Sequence, residues 1–288
     1  MILFSIIVPT YERTNDLKKC LDCIENGKQF GMICNAKDAN YEIIVTDDGK
    51  NNDTQLLISE HFKDVKWIRG PGKGPAANRN NGAKVAKGKW LVFTDDDCLP
   101  DSRWIYSFMQ VLSKHENSKA FEGMIQPLGD LNHALAQCPV NQSGGCFWSA
   151  NIVVQKKLFH QLGGFDENYP KAANEDQDLY LRLQDYTSIP FVPEAKVSHP
   201  VRILSITQTL CQTIWKSQSW AYYCTKHRFG YFNGRSFISP VREAFVYQFR
   251  NLVKFIIKRH FTEALLCFCS VIISITLFPF FLWHYKES

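Results

Sequence analysis

Trp90-Leu-Val-Phe-Thr-Asp-Asp-Asp97 is the stretch on which the fold reading turns. Four apolar residues run without interruption into a threonine and three carboxylates. A short continuous apolar run that stops at a polar cluster reads as a strand buried on both faces, as in a parallel sheet. Just upstream, Gly74-Pro75 is a helix-start signal, because proline at the first helical position loses only an amide that would be orphaned anyway. That helix is expected through Val85, stopping near Gly88. Earlier still come a strand over 65–68, a helix over 53–62 and a strand over 41–46 that ends at Asp47-Asp48-Gly49. Residues 4–8 form the first apolar run. Thr14 or Asn15 can cap a helix in which Leu17, Cys20, Leu21 and Ile24 recur at i, i+3, i+4 and i+7, one buried stripe. The polar 26–40 segment reads as a loop. Strands alternating with helices predict an α/β fold with a mainly parallel sheet covered by helices on both faces.

In such sheets ligands bind beyond the carboxyl ends of the strands. The polar clusters of this chain fall at those ends: 9–12, 47–48, 70–73 and 95–97. Asp95, Asp96 and Asp97 repel one another when folded together unless a cation or ordered water offsets the charge. A hard divalent ion carrying substrate phosphates is the natural partner. The competing reading, a solvated acidic turn, is weakened by the other polar strand ends beside it.

The second half of the chain is less regular. From about Lys119 the expected elements are a strand over 147–154, a short helix over 156–162, a turn at Gly163-Gly-Phe-Asp166, a helix over 175–184 and a last strand over 191–197. The 175–184 helix carries acids in its first turn, where the helix dipole favours them. Aromatic helices follow, then a basic stretch with Arg242, Arg250, Lys254, Lys258 and Arg259, then 264–283, which holds no charged residue. Twenty such residues match a bilayer's hydrocarbon thickness, although Pro279 leaves an interfacial placement open. Basic residues on one flank would put the preceding domain in the cytoplasm.

Composition narrows the classes. Of 288 residues 45% are hydrophobic and 14% aromatic, which excludes global disorder. The net charge of +5 is mild and residues 1–200 carry no basic stripe, so nucleic acid is not the expected partner. Ten cysteines are scattered; Cys20 and Cys23 make a single C-x-x-C inside a helix, so reduced thiols in a reducing compartment are expected. The sequon Asn141-Gln-Ser143 would then go unmodified. The short N-terminal apolar run lacks a basic flank and does not read as a signal peptide.

Six stretches, Ser5-Ile-Ile-Val-Pro-Thr-Tyr-Glu12, Glu42-Ile-Ile-Val-Thr-Asp-Asp-Gly49, Gly74-Pro-Ala-Ala-Asn-Arg-Asn80, Trp90 to Asp97, Gly163-Gly-Phe-Asp166 and Asn174-Glu-Asp-Gln-Asp-Leu179, occur together in this order. Over roughly residues 3–200 the chain thereby resembles glycosyltransferase family 2, the large inverting family of GT-A (Rossmann-like) fold. The resemblance implies that Pro9, Thr10, Tyr11 and Glu12 hold the nucleoside of a nucleotide-diphosphate sugar, a UDP-sugar being favoured. It implies that Asp48 accepts a hydrogen bond from the base, and that Lys73, Arg79 and Asn80 lie near the phosphates. Asp95 and Asp97 look like the D-x-D pair, with Asp96 beside them in the donor site. Asp97 is the foremost ligand of Mn²⁺ or Mg²⁺, and His199 is a candidate to complete the metal site with Asp95. Asp176 looks like the general base, supported by Glu175, while Trp148 and Asn151 lie in a segment that often faces the acceptor. The Gln-x-x-Arg-Trp motif of long-chain polymer synthases is missing, so processive synthesis is not expected.

The implied domains are 1–202 catalytic (donor half about 1–100, acceptor half about 101–202), 203–241 a helical extension, and 242–288 a membrane-associated segment. The expected reaction is sugar transfer to a saccharide or lipid-linked acceptor at the cytoplasmic face of the cell membrane. Two rivals are a sugar nucleotidyltransferase, which would want G-x-G-x-R after the first strand where this chain has Pro9-Thr-Tyr-Glu-Arg13, and a non-catalytic saccharide-binding membrane protein.

Overall fold

The computed structural model describes residues 2–25, 41–133, 135–227 and 261–287. The expected 26–40 loop, the 228–241 part of the helical extension and the basic residues Arg242, Arg250, Lys254, Lys258 and Arg259 lie outside the described residues.

The chain divides into two compact units. The first comprises 1–130, 138–167 and 175–201. It is built on an eight-stranded sheet of β1 (Phe4–Thr10), β2 (Tyr41–Asp47), β3 (Val65–Arg69), β4 (Trp90–Phe93), β5 (Leu99–Pro100), β6 (Ala120–Leu128), β8 (Ile152–Gln155) and β9 (Phe191–Pro200), in the order β3-β2-β1-β4-β8-β6-β9-β5. β1 to β4 are mutually parallel and β6 pairs parallel with β9, whereas β8 and β5 run antiparallel to their neighbours. The mainly parallel sheet is therefore as expected, with two reversed strands added.

Helices α1 (Thr14–Ile24), α2 (Asp53–His61), α3 (Pro75–Val85), α4 (Trp104–Leu112), α5 (Lys156–Gln161) and α6 (Glu175–Gln184) cover it. Alternate residues of a strand point to opposite faces. Ile6 and Val8 of β1 accordingly join one core cluster with Leu17, Cys20, Leu21 and Ile24 of α1 and Trp104 and Phe108 of α4. Ile7, between them, joins the other with Ala83, Phe159, Leu179 and Leu183. Burial on both faces is why these strands read as unbroken apolar runs. At Gly82 of α3 an added Cβ would lie 2.6 Å from Ile7 Cγ2, so glycine here lets the helix sit close on β1.

Several expectations need correction. Residues 147–151 are not strand: Phe147 has φ +47° and β8 starts only at Ile152. Neither Thr14 nor Asn15 caps α1; both lie inside it, Arg13 takes the cap position, and no side chain caps it. Two elements, α4 and β6, are absent from the expectations above. Trp104, Ile105 and Phe108 of α4 recur at helical spacing and are buried, while Glu122, Gly123 and Pro127 break the strand pattern of β6.

The second unit comprises 131–137, 168–174 and 202–288. β7 (Ala136–Gln137) pairs antiparallel with β10 (Arg202–Ile203). α7 (Ile206–Lys226) opens with a capping box, Ser205 accepting from the Gln208 amide while the Gln208 side chain reaches back. α8 (Phe261–Glu287) packs on α7 through Phe278, Phe281 and Tyr285 against Trp220, Ala221 and Cys224. Leu265, Phe268, Ile272, Phe280 and Trp283 of α8 are exposed. Within α8, the window Phe268–Tyr285 is long and apolar enough to cross a membrane.

Candidate active site

The carboxyl ends of β1, β2, β4 and β9 supply the polar residues of the first unit. At the end of β2 the two aspartates do different work. Asp47 is buried and accepts from the Gly49 amide at 2.7 Å and from Trp67 Nε1 at 3.4 Å, which shapes the turn. Asp48 accepts from the Gly72 amide at 2.8 Å and the Gly74 amide at 3.2 Å, drawing the glycine-rich loop onto the strand end. A Cβ at Gly70 would lie 2.2 Å from Asp48 Oδ1, so only glycine allows that approach. Asn78 of α3, which lies in the Gly74–Asn80 stretch but has no role among the expectations above, ties the strands behind the loop. Its amide donates to the Thr46 carbonyl at 2.9 Å and the Thr10 carbonyl at 3.3 Å, and its Oδ1 accepts from Thr46 Oγ1 at 2.6 Å. In front of it Lys73 is exposed, Tyr11 is 50% exposed, and Glu12 sits at φ +52°.

The acids after β4 point three ways. Asp96 is buried, accepts from Thr10 Oγ1 at 2.7 Å and lies 3.3 Å from Arg13 Nη1. Burial raises its pKa to about 6, against the opposing pull of Arg13 and Thr10. Asp97 lies between Arg13 Nη1 at 3.6 Å and His199 Nε2 at 3.4 Å. Asp95, half-buried, meets Arg79 Nη2 at 2.7 Å. One ligand atom each from Asp95, Asp97, His199 and Cys98 falls within 4.8 Å of the others. Two carboxylates and an imidazole fit a divalent ion that also takes phosphate oxygens. The Cys98 thiol packs in the apolar core and is not needed for that set.

On the other side of Arg79 stands the first turn of α6. Arg79 is buried and its second nitrogen, Nη1, lies 3.2 Å from Glu175 Oε1, so one guanidinium bridges the β4 acids and the α6 acids. Arg79 Nε and Glu175 Oε2 are buried without a hydrogen-bond partner. Asp176, 6% exposed, accepts from the Ser149 amide at 3.3 Å. Burial first, then repulsion from Glu175, raise its pKa to about 7, while the Ser149 amide and Arg79 pull the other way. Burial also raises Glu175, opposed by Arg79. A carboxyl poised near neutrality is what proton abstraction from a hydroxyl asks for.

Two sequence expectations meet a different environment. Asn151 is 1% exposed and its amide is saturated: Trp104 Nε1 donates to it at 2.7 Å, and it donates to the Met124 and Ala195 carbonyls, both at 2.8 Å. It braces β6, β9 and α4 and has no group left for an acceptor. Asn80 is buried against the Gly163-Gly164 turn, donating to the Phe165 carbonyl at 2.8 Å and Glu167 at 2.9 Å and accepting from the Phe165 amide at 3.0 Å. It fixes that turn instead of facing phosphate. Trp148 is half-buried against the core. Besides Asn78, the sequence expectations omit Arg13 and Glu122. Arg13 is signalled only by its place one residue beyond the β1 loop. Glu122 is signalled by a lone charge within an apolar strand.

Known proteins share this fold. The fold is GT-A: the chain superposes with TM-score 0.55 on Staphylococcus aureus TarS 1-349 in complex with UDP-GlcNAc, over 99% of this chain and 92% of that one at 15% identity. It does so equally, with TM-score 0.55, on the mannosyltransferase PcManGT from Pyrobaculum calidifontis in complex with GDP-Man and Mn²⁺, over 99% and 73% at 13% identity. The family model for glycosyl transferase family 2 matches residues 5–144, and this stretch of the chain is a glycosyltransferase family 2 domain. Chondroitin synthase of Escherichia coli is 31% identical over 118 residues, 39% of this chain and 16% of that protein. The GalNAc(5)-diNAcBac-PP-undecaprenol beta-1,3-glucosyltransferase of Campylobacter jejuni is 36% identical over 98 residues, 32% of this chain and 29% of that one. The chain thus spans under a third of the length of these two relatives.

Proposed function

We propose that the chain transfers a sugar, with inversion, from a nucleotide-diphosphate sugar to a saccharide or lipid-linked acceptor at the cytoplasmic face of a membrane. The observation that carries this reading is the Arg79 bridge, with acids suited to a metal diphosphate at one end and, at the other, two buried carboxyls of which Asp176 is raised to about 7. Inversion needs a base on the face opposite the leaving group. Asp176 takes the proton from the acceptor hydroxyl as that oxygen attacks the anomeric carbon. Glu175, held by Arg79, raises the basicity of Asp176 by repulsion. Asp97, Asp95 and His199 would hold Mn²⁺ or Mg²⁺, which when bound offsets the charge gathering on the diphosphate. Thr10, Tyr11 and Glu12 flank the nucleoside, Asp48 holds the glycine loop that carries Lys73 toward the phosphates, and Trp148 borders the acceptor. A UDP-sugar is the donor we favour, because a UDP-GlcNAc complex is among the structures that share the fold. A screen of the purified chain against UDP-, GDP- and dTDP-sugars with Mn²⁺ tests the reading. Metal-dependent release of nucleoside diphosphate from one of them is the expected result, and none from any donor would reject it.

The membrane part of the reading rests on α8. One face of this helix packs on α7, while Leu265, Phe268, Ile272, Phe280 and Trp283 stay exposed at spacings that recur along one helical stripe. Burying such a stripe in lipid removes several large apolar side chains from water. The relative that acts on an undecaprenol-linked saccharide makes a lipid-linked acceptor the natural one. We expect the full chain to sediment with membranes and to resist a high-salt wash. Phe268→Asp with Ile272→Asp, which leaves the α7-facing residues untouched, should shift it to the supernatant by about tenfold or more. An unchanged distribution would mean that this stripe does not face lipid.

A further inference from the structure

Glu122 is a heavily engaged carboxylate of the first unit that has no role in the donor or base chemistry described so far. It lies on β6, 2% exposed. Its two oxygens accept from the amides of three consecutive residues, Gly145, Cys146 at 3.1 Å and Phe147 at 2.8 Å, and from Asn141 Nδ2 at 2.9 Å. Consecutive amides converging on one point form an anion nest. Here the nest is filled from within the chain, and hydrogen bonds to a charged acceptor are the strong kind. The backbone adopts left-handed conformations to make it, with φ +82° at Gly144, +86° at Gly145 and +47° at Phe147.

Beyond the nest the chain runs directly to the base. Two residues on, the Ser149 amide donates to Asp176 at 3.3 Å. The Cys146 carbonyl accepts from the Gln177 side chain, and the Phe147 ring stacks on Tyr180 at 5.3 Å between centroids. Residues 145–149 are therefore gripped by Glu122 on one side and by the first two turns of α6 on the other. Each of these three contacts on the α6 side involves Asp176 or a residue within four positions of it.

We propose that Glu122 is a positioning residue for the transfer reaction: by holding 145–149 in the nest it fixes the Ser149 amide against Asp176, and so aims the base at the acceptor hydroxyl. This rests on the role of Asp176 proposed above. The aim of the base matters more for a bulky acceptor, whose hydroxyl is fixed by its own binding, than for water, which orients itself. Loss of the grip should therefore separate transfer from simple donor hydrolysis.

Glu122→Gln in the full chain tests this. The amide keeps the side chain's shape but replaces one of the two accepting oxygens with an NH2 group that meets a nest donor. We expect kcat for transfer to fall about tenfold or more. Donor hydrolysis and nucleotide affinity should stay within about twofold, since the donor residues do not touch the nest. Amide hydrogen exchange should quicken at 145–149 and stay unchanged at 70–80. A parallel fall in transfer and hydrolysis, or unchanged exchange at 145–149, would overturn the proposal. Should Glu122→Gln fail to fold, Asn141→Ala removes one donor from the same carboxylate and is read by the same two measurements, with a smaller effect of the same pattern. If the wild-type chain turns over no donor, the enzymatic reading fails separately, and the exchange rates at 145–149 still decide whether Glu122 holds the segment.

Discussion

Asp176→Asn should lower turnover by about 10²-fold or more while leaving nucleotide affinity nearly intact. The substitution keeps the side chain's shape and one oxygen to accept the Ser149 amide, puts an NH2 group where the oxygen accepting the Gln177 amide stood, and removes the proton acceptor. A collapse of donor affinity with turnover of bound donor preserved would reassign the residue. The same carboxyl predicts two pH effects. Its pKa is raised to about 7 by burial and by Glu175, so the rate should climb as pH rises through about 7, where the base loses its proton. Stability runs the other way. A carboxyl whose folded pKa lies above its unfolded value contributes stability that is fully present below the unfolded value and lost as pH rises through the folded one. Asp176→Asn should therefore raise the melting temperature more at pH 8 than at pH 5, so that the variant becomes more stable as it becomes inactive. Thermal scans at the two pH values check this, and a variant less stable at pH 8 would contradict it.

Asp97→Ala should abolish metal-dependent turnover and weaken nucleotide binding in Mn²⁺ far more than in chelator. Asp97 is the acid that lies beside both His199 and Arg13, so its loss removes a ligand and leaves Arg13 with Asp96 alone. Isothermal titration with nucleotide, with and without Mn²⁺, reads the effect. Full activity in the variant, or full wild-type activity in excess chelator, would remove the metal from the mechanism.

The donor half of this fold is legible in the sequence because its physics is local. Continuous apolar runs mark strands buried on both faces, the Leu17, Cys20, Leu21 and Ile24 stripe marks α1, and Gly74-Pro75 marks the start of α3; all three elements lie within a residue or two of their expected bounds. The acid cluster is legible because three adjacent carboxylates are costly without a purpose. The second half is harder because its information is non-local. β6 is interrupted by Glu122 and Gly123, and what makes Glu122 necessary is a set of amides more than twenty residues away. Asn151 and Asn80 look like site residues because the family pattern places them near the site, yet their amides are engaged by carbonyls of the scaffold. No periodicity distinguishes an asparagine that braces a strand from one that meets a ligand. The Arg79 bridge likewise reaches Glu175, 96 positions further along the chain, and Asp95 at once, which happens only when the sheet is assembled.

The stereochemistry of the product decides whether the transfer is a single displacement. With an α-linked nucleotide sugar as donor, one direct attack by an acceptor oxygen activated at Asp176 gives a β-linked product, which the anomeric proton coupling in the NMR spectrum of the purified product reports. The β anomer is the expected result. An α-linked product would mean a retained configuration, and a single displacement with Asp176 as base would be wrong.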